Sequence, residues 1–545
     1  MSCQCPQHLR FFLRMDEGGQ CDGGKENMSG PVRNALPNQK RGGWGARLSR
    51  LDERHLVLAL CCLAAIRVFV YSAAFPFFNN VDEVFHFDLV LKYSHGLVPR
   101  KLDLVSLEAS KYMSLYASPE YLMTPQQFQL GRFPFPIWAG TEQAKSAMVA
   151  RGANTRLPNF ESSQAPLYYA IAALWLLLGR LFGLAGGMLL YWIRFLNVFL
   201  AAALVWLGFA AARLIFPERR FVRLGVPALL AVFPQDTFYA IQNDVLSPLC
   251  FGIAFIALVR WLRADVPSAR LGLCTGLSLA VVCLVKVSSL PLVAVGAVAV
   301  LIGAWRLARA GRLRAALPAL TLALLSAGLP IVCWAAWNLH NFGDITGAAL
   351  KVEMLGWTRR PISQWLDHPI FTLEGLWYFW STLMASFWRG EFVWEMETLA
   401  LPAVDAFYWI SSAVLVGVAM IGLFPRFAPA SKPLREALWL SFCAFIASVG
   451  YLALLSIVFD YGKCVYPSRA YPYFTSGRLL DGALIPFLLV YLYGLEWAAK
   501  RLKSEGLLWW VLAGMVVVIA GSQIALDRVV FPSQWNWFHF LTGLG

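Results

Sequence analysis

The sequence predicts an all-α polytopic membrane protein with about eleven transmembrane helices, on three observations. Of its 545 residues, 58% are hydrophobic and only 14% charged, whereas a soluble domain carries about 25% charged residues. Apolar runs of the ~20 residues that cover a bilayer's hydrocarbon core recur along the chain. Lys and Arg, 46 against 32 Asp and Glu, gather in the short connections between those runs, as they do in the cytoplasmic loops of membrane proteins. The formal charge of +14 is therefore read as topology, and no nucleic-acid partner is expected.

Residues 1–54 are polar and Gly-rich, with no apolar run beyond Phe11 to Leu13, and read as a disordered cytoplasmic tail without a cleavable signal. Cys3, Cys5 and Cys21 continue no zinc spacing, and most other cysteines fall inside apolar runs, so free thiols are expected. The membrane domain is expected over 55–526. Its spans fall at roughly 55–76, 192–213, 224–240, 243–262, 271–287, 288–305, 315–337, 402–424, 436–458, 479–498 and 506–526. An outer C-terminal segment follows over 527–545.

A twelfth apolar run, Pro166 to Gly186, decides the topology. If it lies in the interface, 17 basic residues of five short loops, from Arg213 to Lys503, share the tail's side with five acidic ones. If it spans, the same residues face outward while the basic tail stays inside, against the positive-inside rule. It is therefore assigned to the outer interface. The outer face then holds a first loop over 77–191, with interfacial helices, and a second over 338–401. Loops of that length in compact proteins usually serve function.

The first span runs into VDEVFHFDLVLKYSHGLVP, which sets Asp82 and Glu83 at the outer headgroup level, at the head of an amphipathic helix. A carboxylate there can act as general base toward an incoming hydroxyl, although acids at a helix start are also stabilised by the helix dipole. His86, four residues on, shares a face with Asp82, which leaves a divalent cation open as cofactor without a second ligand set in view. His95, His340 and His368 lie in loops without a ligand spacing. Arg194, Lys286 and Arg478 stand at span ends, where ionisable groups are costly and commonly functional, with snorkelling to the headgroups the plain alternative. The second loop carries SFWRGEFVWEMETL, whose Trp388, Trp394 and Glu391 fit either a sugar platform or an interfacial aromatic belt.

Taken with QAPLYY at Gln164 to Tyr169, these residues resemble the GT-C superfamily of glycosyltransferases. Its members, which include protein O-mannosyltransferases and the aminoarabinose transferases of lipid A, take a sugar from a polyprenyl-phosphate carrier. The family's first outer loop opens on an acidic motif, here Asp82 and Glu83, and continues to a helix with a Pro-Leu-Tyr start. Arg194 resembles the family's Arg-Leu motif, with Phe195 in second place. Asn243 and Asp244 look like its acidic residue at the outer mouth of a later span, and Lys286 stands where the family has a lysine. Ser476, Gly477 and Arg478, followed by LLDGALIP, are similar to its Gly-Arg-Tyr-Leu-Leu-Pro signature, with Leu479 for Tyr and Asp481 added.

The resemblance runs from about residue 55 to 500 and implies a GT-C-like fold. It implies transfer, with inversion, from a polyprenyl-phosphate-linked sugar to a lipid, glycan or protein acceptor. The reaction would occur at the non-cytoplasmic face of the inner (plasma) membrane. Asp82 would be the base and Glu83 would orient the sugar, while Arg194, Lys286, Arg478, His86, Asn243 and Asp244 would surround the donor phosphate. A transporter or lipid flippase is the alternative from another class. Against it, the two halves of the chain show no repeat, and the charged candidates sit at outer span ends rather than at the midplane.

Overall fold

A computed structural model of the chain describes residues 52–78, 82–424, 431–464 and 466–542. The expectations for residues 1–51, including those for Cys3, Cys5 and Cys21, lie outside the described residues. Helix α1 (Glu53–Ala74) starts where the Asp52 side chain accepts a hydrogen bond from Arg54 N, and it ends at Phe75, ahead of Pro76, since a residue before proline is driven out of helical geometry. The long connection after α1, expected to be the first outer loop, holds α2 (Glu83–Ser94), α3 (Leu107–Tyr116), α4 (Glu142–Asn154), α5 (Leu167–Leu181) and α6 (Gly186–Arg194). There follow α7 (Leu196–Ile215), α8 (Arg220–Val232), α9 (Ser247–Arg263), α10 (Ala269–Val285), α11 (Leu290–Arg309) and α12 (Leu313–Phe342). The connection after α12, expected to be the second outer loop, contains α13 (Ala349–Met354) and α14 (Leu373–Arg389), and the chain continues through α15 (Pro402–Leu423), α16 (Lys432–Val458), α17 (Leu484–Arg501) and α18 (Leu508–Asp527).

The protein is an all-helical, multi-pass membrane protein. Among the described residues, nine helical segments are long and apolar enough to cross a membrane, so the count departs from the expected eleven at two places. The expected span 224–240 is the 13-residue α8, because the chain leaves the helix at Phe233-Pro234 and enters a 3-10 turn over Asp236–Tyr239. The expected span 271–287 is the 17-residue α10, which stops at Lys286 in extended conformation. At 1.5 Å per residue the two cover about 20 and 26 Å of the ~30 Å hydrocarbon core.

Packing in the bundle follows side-chain size. The segment Gly477–Arg501 has 89% of its apolar stretch buried, against 33% for Glu53–Ala74, and is the enclosed central helix. Helices α10 and α12 meet through Gly272 and Gly276, where an added Cβ would lie 2.1 Å from Ala319 O and 2.3 Å from Ala323 O. This is the small-residue contact by which helices in lipid bring their backbones together.

The basic loops converge at one end of the bundle, joined by their few acids. Arg223 pairs with Glu53 at 2.6 Å, Arg219 with Glu496 at 2.8 Å and Arg306 with Glu436 at 3.0 Å. Helix α5 stays at the other end. Its first turn meets His86, whose Nδ1 lies 2.7 Å from Tyr169 Oη, and its last turn carries Arg180, which pairs with Glu108 of α3. Fifteen residues extend about 22 Å, short of a straight crossing. Helix α6 folds back on α5, and Trp175 and Trp192 each donate their indole N–H to the other's carbonyl at 2.7 Å.

Three local expectations are corrected. Helix α2 lacks a broad solvated face, because the loop segments that follow cover Glu83, His86 and Phe87 to Leu91. Even Asp88 is buried, accepting from Ser106 N and Asn159 Nδ2 and pairing with Lys92 at 2.7 Å. In the second loop Trp388 is fully buried, parallel to Tyr408 with ring centroids 5.2 Å apart, and Trp394 packs edge-on against Tyr121. Both are core residues rather than a sugar platform. His368, expected in an exposed loop, is buried, with Nε2 3.1 Å from Pro472 O.

Candidate active site

Asp82 owes its position to an unusual turn. Its φ is +67°, the left-handed region that Asp tolerates better than most residues. Its carbonyl accepts from Phe85 N and His86 N to start α2, yet its side chain caps nothing. The carboxylate is thus turned away from the helix it precedes and remains 29% exposed.

Glu83 does the opposite. It is buried, accepts from Phe78 N at 2.9 Å and Ile241 N at 3.0 Å, and holds Arg194 through both carboxylate oxygens at 2.7 and 2.6 Å. The remaining Arg194 donors reach the carbonyls of Ser72, Phe75 and Pro76, and the guanidinium lies 4.2 Å from the Phe77 ring centre. All the guanidinium nitrogens are engaged and the side chain is wholly buried. Arg194, expected beside a phosphate, and Glu83, expected beside a sugar, here satisfy each other and the end of α1, next to the Asp82 turn.

Of the other expected cations, Arg478 meets Asp82 directly, and Lys286 joins the same cluster through Asp244. Arg478 Nη2 lies 3.3 Å from Asp82 Oδ2, Nη1 3.9 Å from Asp244 Oδ2 and Nε 4.0 Å from Glu391 Oε2. The guanidinium also donates to Gln242 Oε1 and Ser476 Oγ. Gly477 permits this approach. Its backbone presses on α14 so closely that a Cβ would lie 1.9 Å from Phe387 N. Lys286, at the end of α10, is ion-paired with Asp244 Oδ1, while Asp244 Oδ2 has no hydrogen-bond partner. Asn243 donates to Gln164 Oε1 and Val285 O, tying α10 to the first outer loop.

Three further residues, Glu161, Lys351 and Asp236, complete the cluster without having been expected from sequence, and Glu391 of the second loop joins it. Glu161 pairs with Lys351 of α13 and accepts from Gln164, so the two long loops are joined beside His86. Burial alone would raise the Glu161 carboxyl, but the Lys351 ammonium and the hydrogen bonds from Lys351 and Gln164 outweigh it and hold the group well below the usual carboxylate range. Asp236 accepts from Glu391 N at 3.3 Å, and burial with the Glu391 charge pushes its carboxyl up to about 7. The signal for Asp236 was present, as an acid within an apparent span, but the run 224–240 absorbed it. Among the described residues no group of three His, Cys, Asp or Glu is arranged to hold a metal, so the divalent cation left open by Asp82 and His86 finds no ligand set there.

Burial lowers the His86 imidazole below its ordinary 6.5, against the opposing pull of Glu161 and Asp82. The unfolded chain then takes up the proton first, so this group's contribution is complete above about pH 6.5 and is lost as pH falls. His86→Gln is expected to remove that dependence. In detergent, its melting temperature should gain on the parent's between about pH 7 and 5; a difference that does not change with pH would contradict a buried neutral imidazole.

No curated protein matches the chain in sequence. Among solved structures it is similar to the apo oligosaccharyltransferase of Archaeoglobus fulgidus, at 9% identity and TM-score 0.41 over 90% of this chain and 56% of that one. It is also similar to the same enzyme with zinc and sulfate, at 11% identity and TM-score 0.40 over 86% and 53%. A third is ArnT from Cupriavidus metallidurans bound to undecaprenyl phosphate, at 15% identity and TM-score 0.29 over 82% and 79%. The chain spans about half the length of the oligosaccharyltransferase chains. A family model matches residues 66–462, from the middle of α1 to just past the end of α16, and on it the chain belongs to the family described as "Predicted membrane protein (DUF2142)".

Proposed function

We propose that the chain is a membrane glycosyltransferase. It takes a sugar from a polyprenyl-phosphate donor and passes it, with inversion, to a lipid, glycan or protein acceptor at the non-cytoplasmic face. The observation that carries this reading is the convergence of one partly exposed carboxylate, Asp82, with Arg478 and Lys286 at the end of the bundle opposite the basic loops. The motif resemblance of Asp82, Gln164 to Tyr169, Lys286 and Arg478 supports the same reaction class.

The chemistry needs a base and a cationic receptor for the leaving phosphate. Asp82 takes the proton of the acceptor hydroxyl while the acceptor oxygen bonds to the anomeric carbon. On the opposite face the bond from that carbon to the phosphate oxygen breaks, and its electron pair remains on the phosphate. Arg478 and Lys286 stabilise that charge from fixed positions, and a lipid phosphate leaves readily enough without a general acid. Asp244 sets the Lys286 ammonium, Asn243 and His86 tie the surrounding loops together, and Glu83 with Arg194 fixes the turn that aims the base. By the positive-inside rule, the basic end is cytoplasmic and the site faces outward.

Membranes containing the protein, supplied with a polyprenyl-phosphate sugar and cell-envelope acceptors, are expected to yield a glycosylated product whose anomeric configuration, read by NMR, is opposite to the donor's. Retention would sink the direct displacement. Movement of the labelled donor across vesicle membranes with no product formed would favour a flippase.

A further inference from the structure

A cavity of about 490 Å³ lies in the first outer loop, walled by Val84 and Phe85 of α2, Met113 of α3 and Met148 of α4. Its size is within the roughly 300–1,000 Å³ of small-ligand sites. It does not belong to the charged cluster. With 100° between successive helical residues, Val84 and Phe85 point away from the face that carries Glu83 and His86, so α2 separates the two sites.

Three features define what the cavity takes. Its lining is mainly apolar. At its mouth Leu122, Phe135 and Leu157 are 66, 71 and 58% exposed, although they line a cavity rather than standing singly on a surface; a contiguous apolar mouth of this kind marks a binding site. Arg151 and Arg156 also line it, and neither forms an ion pair among the described residues. Arg156 is turned onto the carbonyls of Ala153 and Val105, and Arg151 is exposed. An apolar chamber with two uncompensated cations fits an apolar chain with an anionic head. The loop is fastened to the α5–α6 hairpin through Glu108 and Arg180, and that hairpin exposes Leu174, Leu181 and Phe182, an apolar surface that bilayer lipid would cover.

We infer that this cavity binds the hydrocarbon chain of an anionic membrane lipid, with Arg151 and Arg156 receiving the headgroup. The site is independent of the proposed sugar transfer and holds the first outer loop against the bilayer.

The test uses the full chain in lipid nanodiscs and a diazirine-bearing analogue of oleate, with cross-linked peptides located by mass spectrometry. Labelling is expected on the peptides containing Met113 and Met148, displaced by oleate but not by oleyl alcohol. It should fall at least fivefold in the double variant Arg151→Gln, Arg156→Gln, whose surface positions spare the core. Ser114→Phe, which puts a ring into the cavity, is expected to abolish it. Labelling confined to the spans, equal competition by oleyl alcohol, or undiminished labelling in the double variant would each overturn the proposal. Because the readout is binding, it stands or falls whether or not a sugar is transferred.

Discussion

Replacing Asp82 by Asn is expected to lower sugar transfer by about 10²–10⁴-fold, the usual contribution of a positioned general base, while leaving the protein folded. The fold is spared because the side chain caps no helix, is partly exposed and, among the described residues, meets only Arg478 in an ion pair. Asn also tolerates the left-handed backbone that position 82 requires. The measurement is initial transfer rate in membranes, alongside the melting profile of the purified variant. Full activity in Asp82→Asn would remove it as the base. A collapse of folding would instead show the carboxylate to be structural.

Breaking the pair behind it is expected to have the largest effect on stability. Arg194→Met leaves Glu83 buried with two backbone donors but no countercharge, and losing one partner of a buried ion pair costs about 3–5 kcal/mol. Glu83→Leu strands the guanidinium with only three carbonyls to receive it. The double variant Glu83→Leu, Arg194→Met is expected to recover part of the loss, because two apolar side chains leave no unpaired charge. Thermal unfolding in detergent reads all three. If Arg194→Met melts like the parent while transfer is lost, the arginine belongs to the donor phosphate and its structural role is wrong.

Sequence and structure agree where the governing quantity is local. Helices α7, α11, α12, α15, α16 and α18 fall on runs whose hydropathy alone demands a span, because burial in lipid sums over neighbouring residues. The reading fails where one residue overrides that sum. Pro234 and Asp236 end α8 early inside a run that averages apolar, and Lys286 stops α10. It fails also for aromatic residues, since the composition of an interfacial belt, a sugar platform and a core is the same. The burial of Trp388 beneath Tyr408 depends on how α14 and α15 pack.

By itself the sequence determined that the protein lives in a bilayer, which loops carry the positive charge, and that Asp82, Lys286 and Arg478 are out of place in an apolar environment. An ionisable residue in such surroundings is conspicuous from its neighbours alone, because desolvation is costly wherever it occurs. The tertiary structure decided which charge answers which. Arg194 meets Glu83 across 111 residues, Lys351 meets Glu161 across 190, and Arg478 meets Asp82 across 396. Coulomb energy depends on distance in space and on the surrounding medium, and neither is written in separation along the chain. Two residues named as one acidic motif therefore part company on folding: Glu83 closes on an arginine in the interior, while Asp82, one bond further back and in a left-handed turn, faces the site.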